Sequence, residues 1–406
     1  MRLRPDTFLF TLALGLLTGI GPLATDMYLP SLPDIGRTFG TDPAAVQLTL
    51  SLYLLGFSAG QIFYGPVSDK YGRKPVLLAG LGLFIGASAF CASAPSIEML
   101  ILARVVQALG ASGPIVLARA IVRDLYEGPR AGRELSRMAT IMGLVPAIAP
   151  TFGGLLHEFA GWRANFVATL LIGLTAAAMV SLALPETIRA RNPDPLSLPG
   201  VLRGFRVLLA HRAYVAYMGL AMLTFGGLFA FISGSSFVLQ DHYGLSELVF
   251  GLAFGTCVTG FISGAIIAAR LAPRLGLDRL ITIGVTCLAV GGLVMLAAVL
   301  FGPKHPASVV LPMMAYMFGV AFVMPQAMAG ALTPFPDRAG AAASLVGFMQ
   351  MTFAALVGIA VGHLLQGRAW PLPAAIAILG CGSFLFARVT RKTRREEAAR
   401  RAAHRR

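Results

Sequence analysis

Apolar residues in this chain do not alternate with polar ones; they run unbroken. A helix needs about 20 apolar residues to cross the hydrocarbon layer of a bilayer. Twelve such runs lie near 7–31, 46–67, 76–94, 97–121, 135–157, 163–184, 213–236, 248–270, 279–300, 307–328, 340–363 and 370–388. A membrane barrel would need lipid-facing and lumen-facing positions in turn, and these runs lack that pattern. The pattern predicts an all-α membrane protein with twelve transmembrane helices in two six-helix bundles. The opening "MRLRPDTFLFTLALGLLTGIGPLA" has the basic start and apolar centre of a secretory signal. Eleven more runs follow it, so a retained first span is the expectation.

The polar positions between the runs carry the orientation. With both termini on one side, every Lys and Arg falls on that side except five. Arg37, Arg163, Lys304 and Arg368 lie opposite, and Arg104 lies inside a span. Such a bias predicts cytoplasmic termini and an even number of spans. The longest polar stretch, "PETIRARNPDPLSLPGVLRGFRVLLAHR", falls at the midpoint. It predicts an N-terminal bundle (1–185), a cytoplasmic linker (186–212), a C-terminal bundle (213–390) and a basic tail (391–406). A weak repeat supports the division: "GPVSDKYGRKPVLLAG" (65–80) has an echo in "ARLAPRLGLDRLITIG" (269–284), and "AGRELS" (131–136) in "AGAAAS" (339–344). Transporters built from repeated bundles bind substrate between the halves, near the membrane midplane.

Composition agrees with the pattern. The 406 residues are 56% hydrophobic and 13% charged, with a mean hydropathy of +0.76. A soluble domain carries roughly 25% charged residues, so lipid is the surface this chain is built for. The net charge of +15 sits in short loops and in the tail "RVTRKTRREEAARRAAHRR". It forms no stripe for nucleic acid and suits a membrane surface, with the tail as a solvated or lipid-associated anchor. Cys91, Cys257, Cys287 and Cys381 fall singly in separate apolar runs, which predicts reduced structural thiols and no metal site. The histidines lie at span ends, in loops or in the tail. There is no phosphate-binding loop, zinc-protease motif or nucleophile elbow, so ATP-driven transport and enzymatic function are not expected.

Within "GPVSDKYGRKPVLLAG" a loop of about eight residues is expected between spans 2 and 3. Gly65 and Gly72 would allow close helix approach and a tight turn, while Asp69 would cap a helix or pair with Arg73. Lys70 and Lys74 also fit a plain topology signal. Arg104 lies five residues past Met99, roughly 7 Å into the membrane, where an arginine is costly and points to function; a snorkelling arginine is the alternative. Gln107 follows one turn below. Asp26, after the first run, shares the outer half of the bilayer with Arg104, so the two are expected to pair, unless Asp26 is only an interfacial acid. Burial favours the neutral carboxyl and a nearby guanidinium the charged one, so opening to either side would switch its proton affinity. Pro146 and Pro150 bend span 5, with Gly143, Gly153 and Gly154 permitting tight contact. Trp162 reads as an interfacial anchor. Tyr28 in the first half, and Gln326, Gln350, Thr352, Met324, Phe225, Phe229 and Phe231 in the second, are candidate cavity groups or ordinary packing. The second half has no convincing charge within its spans, which assigns proton handling to the first.

Several of these stretches resemble the major facilitator superfamily. "GPVSDKYGRKP" is similar to its loop 2–3 signature, whose acid and arginine lock the two bundles together on the cytoplasmic side. The resemblance implies gate roles for Asp69 and Arg73, with Lys74 in the same motif, Gly65 and Gly72 as packing positions, and Asp124 in "RAIVRDLY" engaging Arg73. In the echo Pro273 replaces the acid and Leu277 the arginine, so no second lock of this kind is implied. "LARVVQALGASG" resembles the span 4 motif of proton-driven drug exporters, and "TDMYLPSLP" the span 1 signature of the Bcr/CflA branch. "APTFGG" resembles an antiporter signature, with Ala149 for the usual glycine, and "GWRANF" the family's span 5–6 turn. Together they imply a proton-coupled drug efflux antiporter of the cytoplasmic membrane, with Asp26 exchanging protons and Arg104 tuning it. The alternative is a metabolite exporter or symporter on the same fold. The implied partners are a small-molecule substrate, protons and membrane lipid, with the chain monomeric and driven by the proton gradient without a cofactor.

Overall fold

A computed structural model describes residues 7–126, 128–188, 198–335, 338–365 and 367–404. Residues 189–197 of the expected linker and the last two residues of the tail lie outside this set. Among the described residues the chain is helical throughout, without a strand: α1 (Phe8–Asp26), a 3₁₀ turn (Leu29–Ser31), α2 (Leu32–Phe39), α3 (Pro43–Tyr71), α4 (Arg73–Ser93), α5 (Ile97–Leu125), α6 (Gly128–Ala160) and α7 (Arg163–Ala183). Then come α8 (Leu198–Leu209), α9 (Arg212–Ser236), a π-helical turn (Phe237–His242), α10 (Glu247–Phe301), α11 (Ala307–Leu332), α12 (Ala339–Leu365), α13 (Pro371–Val389) and α14 (Arg391–His404).

Eleven helical stretches of the described chain are long and apolar enough to cross a membrane. Their number falls one short of the twelve runs because α10 holds two of them, interrupted only by non-helical Gly276 (φ 71°, ψ 171°). The eight-residue loop expected between spans 2 and 3 shrinks in the same way. Ser68 to Tyr71 continue α3 and α4 starts at Arg73, leaving Gly72 (φ 105°, ψ 151°) as the whole turn. Side-chain caps start several helices: Thr7 Oγ1 accepts from the Phe10 amide, Asp42 Oδ1 from Ala45 and Ser96 Oγ from Met99. Each satisfies an amide that the first turn leaves without a helical partner.

The chain divides into two compact units, residues 1–196 with 246–252, and residues 197–245 with 253–406. In the first, α5 packs against α3 and α4, α4 against α7, and α1 against α5 and α6. The α4–α5 approach is so close that a Cβ on Gly110 would meet the backbone of Gly80 and Phe84. In the second unit α9 is the hub, packed on α11, α12 and α13. Large apolar side chains stand exposed on most of the long helices, Phe90, Leu102, Leu182, Phe301 and Leu385 among them, a surface made for lipid.

Candidate functional site

Arg104 is fully buried in the first unit. Helical spacing puts Gln107 on the same face of α5, and Arg104 Nη1 donates to Gln107 Oε1 at 2.5 Å. Gln107 Nε2 donates in turn to Ser88 Oγ on α4 at 2.8 Å. Nη1 also donates to the Ala24 carbonyl at 2.9 Å, in the last turn of α1, where carbonyls lack helical partners and the helix dipole favours a cation. Aromatic rings enclose the rest. The guanidinium carbon lies 4.1 Å from the Tyr53 ring centroid, 4.4 Å from that of Tyr28 and 5.8 Å from that of Phe166, while Nε and Nη2 make no hydrogen bond among the described residues. Desolvated contacts of this kind are worth about 2 kcal/mol each.

This cage differs from the expected pair. Asp26 is buried, 6% exposed, and no described cation forms an ion pair with it. The Thr25 hydroxyl lies 3.1 Å from Asp26 Oδ1, but its single proton is shared with the Pro22 carbonyl at 2.8 Å. Asp26 and Arg104 are instead connected through α1 itself: the carbonyl that Arg104 holds is two residues before the acid. Tyr28, expected to line a cavity, is 1% exposed and holds Arg104, with its hydroxyl 2.8 Å from Thr49 Oγ1. Tyr53 was missed, because an aromatic inside an apolar run gives no sign of what its face covers.

At the Gly72 turn Arg73 gathers three partners. It pairs with Asp69 at 2.5 Å and with Asp124 at 2.9 Å, and Nη1 donates to Ser68 Oγ at 2.6 Å. Thr187 Oγ1 donates to Asp124 Oδ2 at 3.1 Å. Asp69 is 43% exposed, in the last turn of α3 and not at a helix start. Glu186 was missed: it accepts from the amides of Arg73 at 3.0 Å and Lys74 at 3.2 Å, capping α4 from over a hundred residues away. The Lys74 ammonium donates to the Ser181 carbonyl. Gly65 does not serve close packing, since a Cβ there would meet open space.

Pro146 and Pro150 lie inside α6. A Cβ on Gly153 would strike the Met27 carbonyl, and one on Gly154 the Glu247 backbone, whereas Gly143 faces open space. The contact at Gly153 sets α6 against the chain just beyond Asp26. Nearby, His157 is buried, its Nδ1 2.7 Å from Ser31 Oγ, and Asn165 Nδ2 donates to the same hydroxyl. Trp162 is not an interfacial anchor: it is 3% exposed and packs edge-on against Phe39 and Phe166.

In the second unit, Phe229 and Phe231 are buried packing residues. Phe229 stacks on Phe225, and Phe231 on Phe254. Gln350 is buried, and Gln326 and Met324 are half-buried, while Thr352 Oγ1 is buried with no hydrogen bond among the described residues. The tail differs from a solvated anchor. It forms α14, and its Arg394 side chain is 1% exposed, 2.9 Å from Asp278. All four cysteines are free.

Residues 14–361 match the sequence profile of the Major Facilitator Superfamily. A bicyclomycin resistance protein homolog of Haemophilus influenzae is 32% identical over 382 residues, 92% of this chain and 93% of that protein. A chloramphenicol resistance protein of Pseudomonas aeruginosa is 32% identical over 363 residues, 87% of this chain and 84% of that protein. Among solved structures, a bacterial homolog of the human lysosomal transporter Spinster, inward-facing and occupied, matches with a TM-score of 0.74. That match covers 96% of this chain and 98% of the other at 16% identity, a likeness of fold alone.

Proposed function

We infer that this chain, which belongs to the Major Facilitator Superfamily, is a proton-coupled antiporter exporting drugs or other small amphipathic molecules. It is a multi-pass membrane transporter and not an enzyme. The relatives named for bicyclomycin and chloramphenicol resistance support export of drugs. The cytoplasmic membrane, with both termini inside, is the location that the charge bias supports. The working unit is taken as a monomer in lipid, needing no cofactor beyond the proton gradient.

The observation that carries the reading is a buried carboxyl, Asp26, at the end of the helix whose carbonyl holds the buried Arg104. Ionisable groups this deep are costly and are kept for proton or ion traffic. Asp26 takes and releases the coupling proton. Protonation changes the charge at the end of α1, and Arg104, bonded to that end, responds by shifting within its cage of rings and Gln107. Arg73 with Asp69 and Asp124 forms the cytoplasmic latch of the first unit. Pro146, Pro150, Gly153 and Gly154 set the bend and the close contact of α6 beside Asp26.

Reconstitution tests this directly. Wild-type protein and Asp26→Asn are placed in proteoliposomes under an imposed pH gradient, and chloramphenicol uptake is followed together with proton release. The gradient should drive accumulation by wild type alone, while the Asn variant keeps downhill exchange. Equal response of both would place the coupling group elsewhere.

A further inference from the structure

Arg119 lies on α5 fifteen residues beyond Arg104, about 22 Å along the helix at 1.5 Å per residue. Its position in the sequence looks like one more basic residue at a span end. In the structure it is an exposed residue still inside α5, and it lines an open pocket of about 170 Å³ with Thr18 of α1 and Leu135, Met138, Ala139 and Met142 of α6. Two acids near it in the sequence, Glu134 and Asp124, are already engaged. Glu134 accepts from Thr11 Oγ1 at 2.6 Å and pairs with Arg137 at 2.6 Å. Asp124 is held by Arg73 and Thr187. Among the described residues Arg119 makes no hydrogen bond and no ion pair, and the nearby charge acting on it is the like charge of Arg123. A guanidinium offers five donors, and among the described residues none is used.

We propose that this cavity is a recognition site for small amphipathic organic anions, with Arg119 binding the carboxylate or a similar oxyanion. A planar guanidinium suits two parallel bonds to such a group. Thr18 does not compete as a donor: its hydroxyl proton goes to the Gly15 carbonyl at 2.7 Å, which leaves lone pairs for a donor on the ligand. The remaining wall is apolar. Methionine side chains adapt to bodies of varied shape, and Met138 and Met142 supply two of them. A void of about 150 Å³ holds a benzene ring, so the space suits one ring with its acidic group. The role of the site in transport rests on the export reading above, whereas its existence rests on binding alone.

The test uses a matched pair of probes, 4-fluorobenzoate and 4-fluorobenzylammonium, titrated by fluorine NMR against the protein in lipid nanodiscs, with empty nanodiscs subtracted. Wild type should bind the benzoate at least tenfold more tightly than the ammonium. Arg119→Gln should weaken the benzoate at least tenfold and leave the ammonium within twofold, while Arg119→Lys keeps most of the benzoate affinity. Ala139→Phe, which fills the cavity and leaves the charge, should weaken the benzoate as well. Absence of benzoate binding by wild type overturns the proposal, and so does equal loss of both probes in Arg119→Gln. The export reading fails separately, if gradient-driven chloramphenicol transport is absent while benzoate still binds.

Discussion

The turn at Gly72 in the first unit and the turn at Gly276 in the second have the same backbone and opposite charge. Both glycines sit at positive φ with extended ψ, 105° and 151° against 71° and 171°, a region open to glycine almost alone. They stand 204 residues apart, in register with the repeat. After Gly72 comes an arginine that collects acids, Asp69 and Asp124. Two residues after Gly276 comes an acid that collects arginines. Asp278 is 2.9 Å from Arg394, 3.3 Å from Arg395 and 3.7 Å from Arg391, all on α14. Arg394 Nη1 also donates to Thr390 Oγ1 at 2.5 Å. The repeat therefore preserves the turn and not the ionic partners. The second cluster is completed from the tail, outside the repeat, so substitution of Pro273 and Leu277 in the echo does not leave that turn without ion pairs.

The sharpest way to break the comparison is to remove each central arginine. Arg73→Ala leaves Asp124, 19% exposed, without its guanidinium partner and should cost about 3–5 kcal/mol. Transport should fall at least tenfold with topology unchanged, and normal efflux would remove Arg73 from the latch. Arg394→Ala should cost about 3 kcal/mol, nearer the low end because Asp278 is a quarter exposed. Thermal unfolding of purified protein reads both, and a tail deletion no less stable than wild type would show that α14 holds nothing.

The two glycines sharpen the comparison next. Gly72→Ala should cost about 2–3 kcal/mol and Gly276→Ala about 1–2 kcal/mol. The strained backbone is common to both, but a Cβ at 72 would also meet Glu186 Oε2 at 2.6 Å, while at 276 it meets open space. Equal losses would mean that the Glu186 cap is easily displaced. The smallest effect belongs to Arg395→Ala, whose side chain is 59% exposed. It should shift stability by no more than about 0.5 kcal/mol, and a larger shift would give the tail cluster a cooperative character.

Legibility in the sequence followed the range of the interaction. The segment "SDKYGRK" offered the Asp69–Arg73 pair beside a helix cap for Asp69, because the two residues are only four apart in the chain; the Gly72 turn brings them together. Asp124 was suggested by family resemblance and is placed on Arg73 by packing of α5 against α4. Glu186 could not be found in this way, since no local spacing ties it to the amides it caps. The same holds for Tyr53 over Arg104 and for the unpartnered Arg119. Gly65 and Gly143 erred in the other direction: a glycine in a span permits close approach but does not say whether a neighbour arrives.

By itself the sequence determined the membrane-crossing helices and the few charged residues inside apolar surroundings. These follow from transfer of short segments out of water, and each segment settles that balance almost alone. Only the tertiary structure decided which charges meet. It gave Arg104 rings and a carbonyl instead of Asp26, buried Trp162, and drew the tail onto Asp278. A long charged side chain takes the partner that packing brings within about 3 Å, and that depends on helices far apart in the chain.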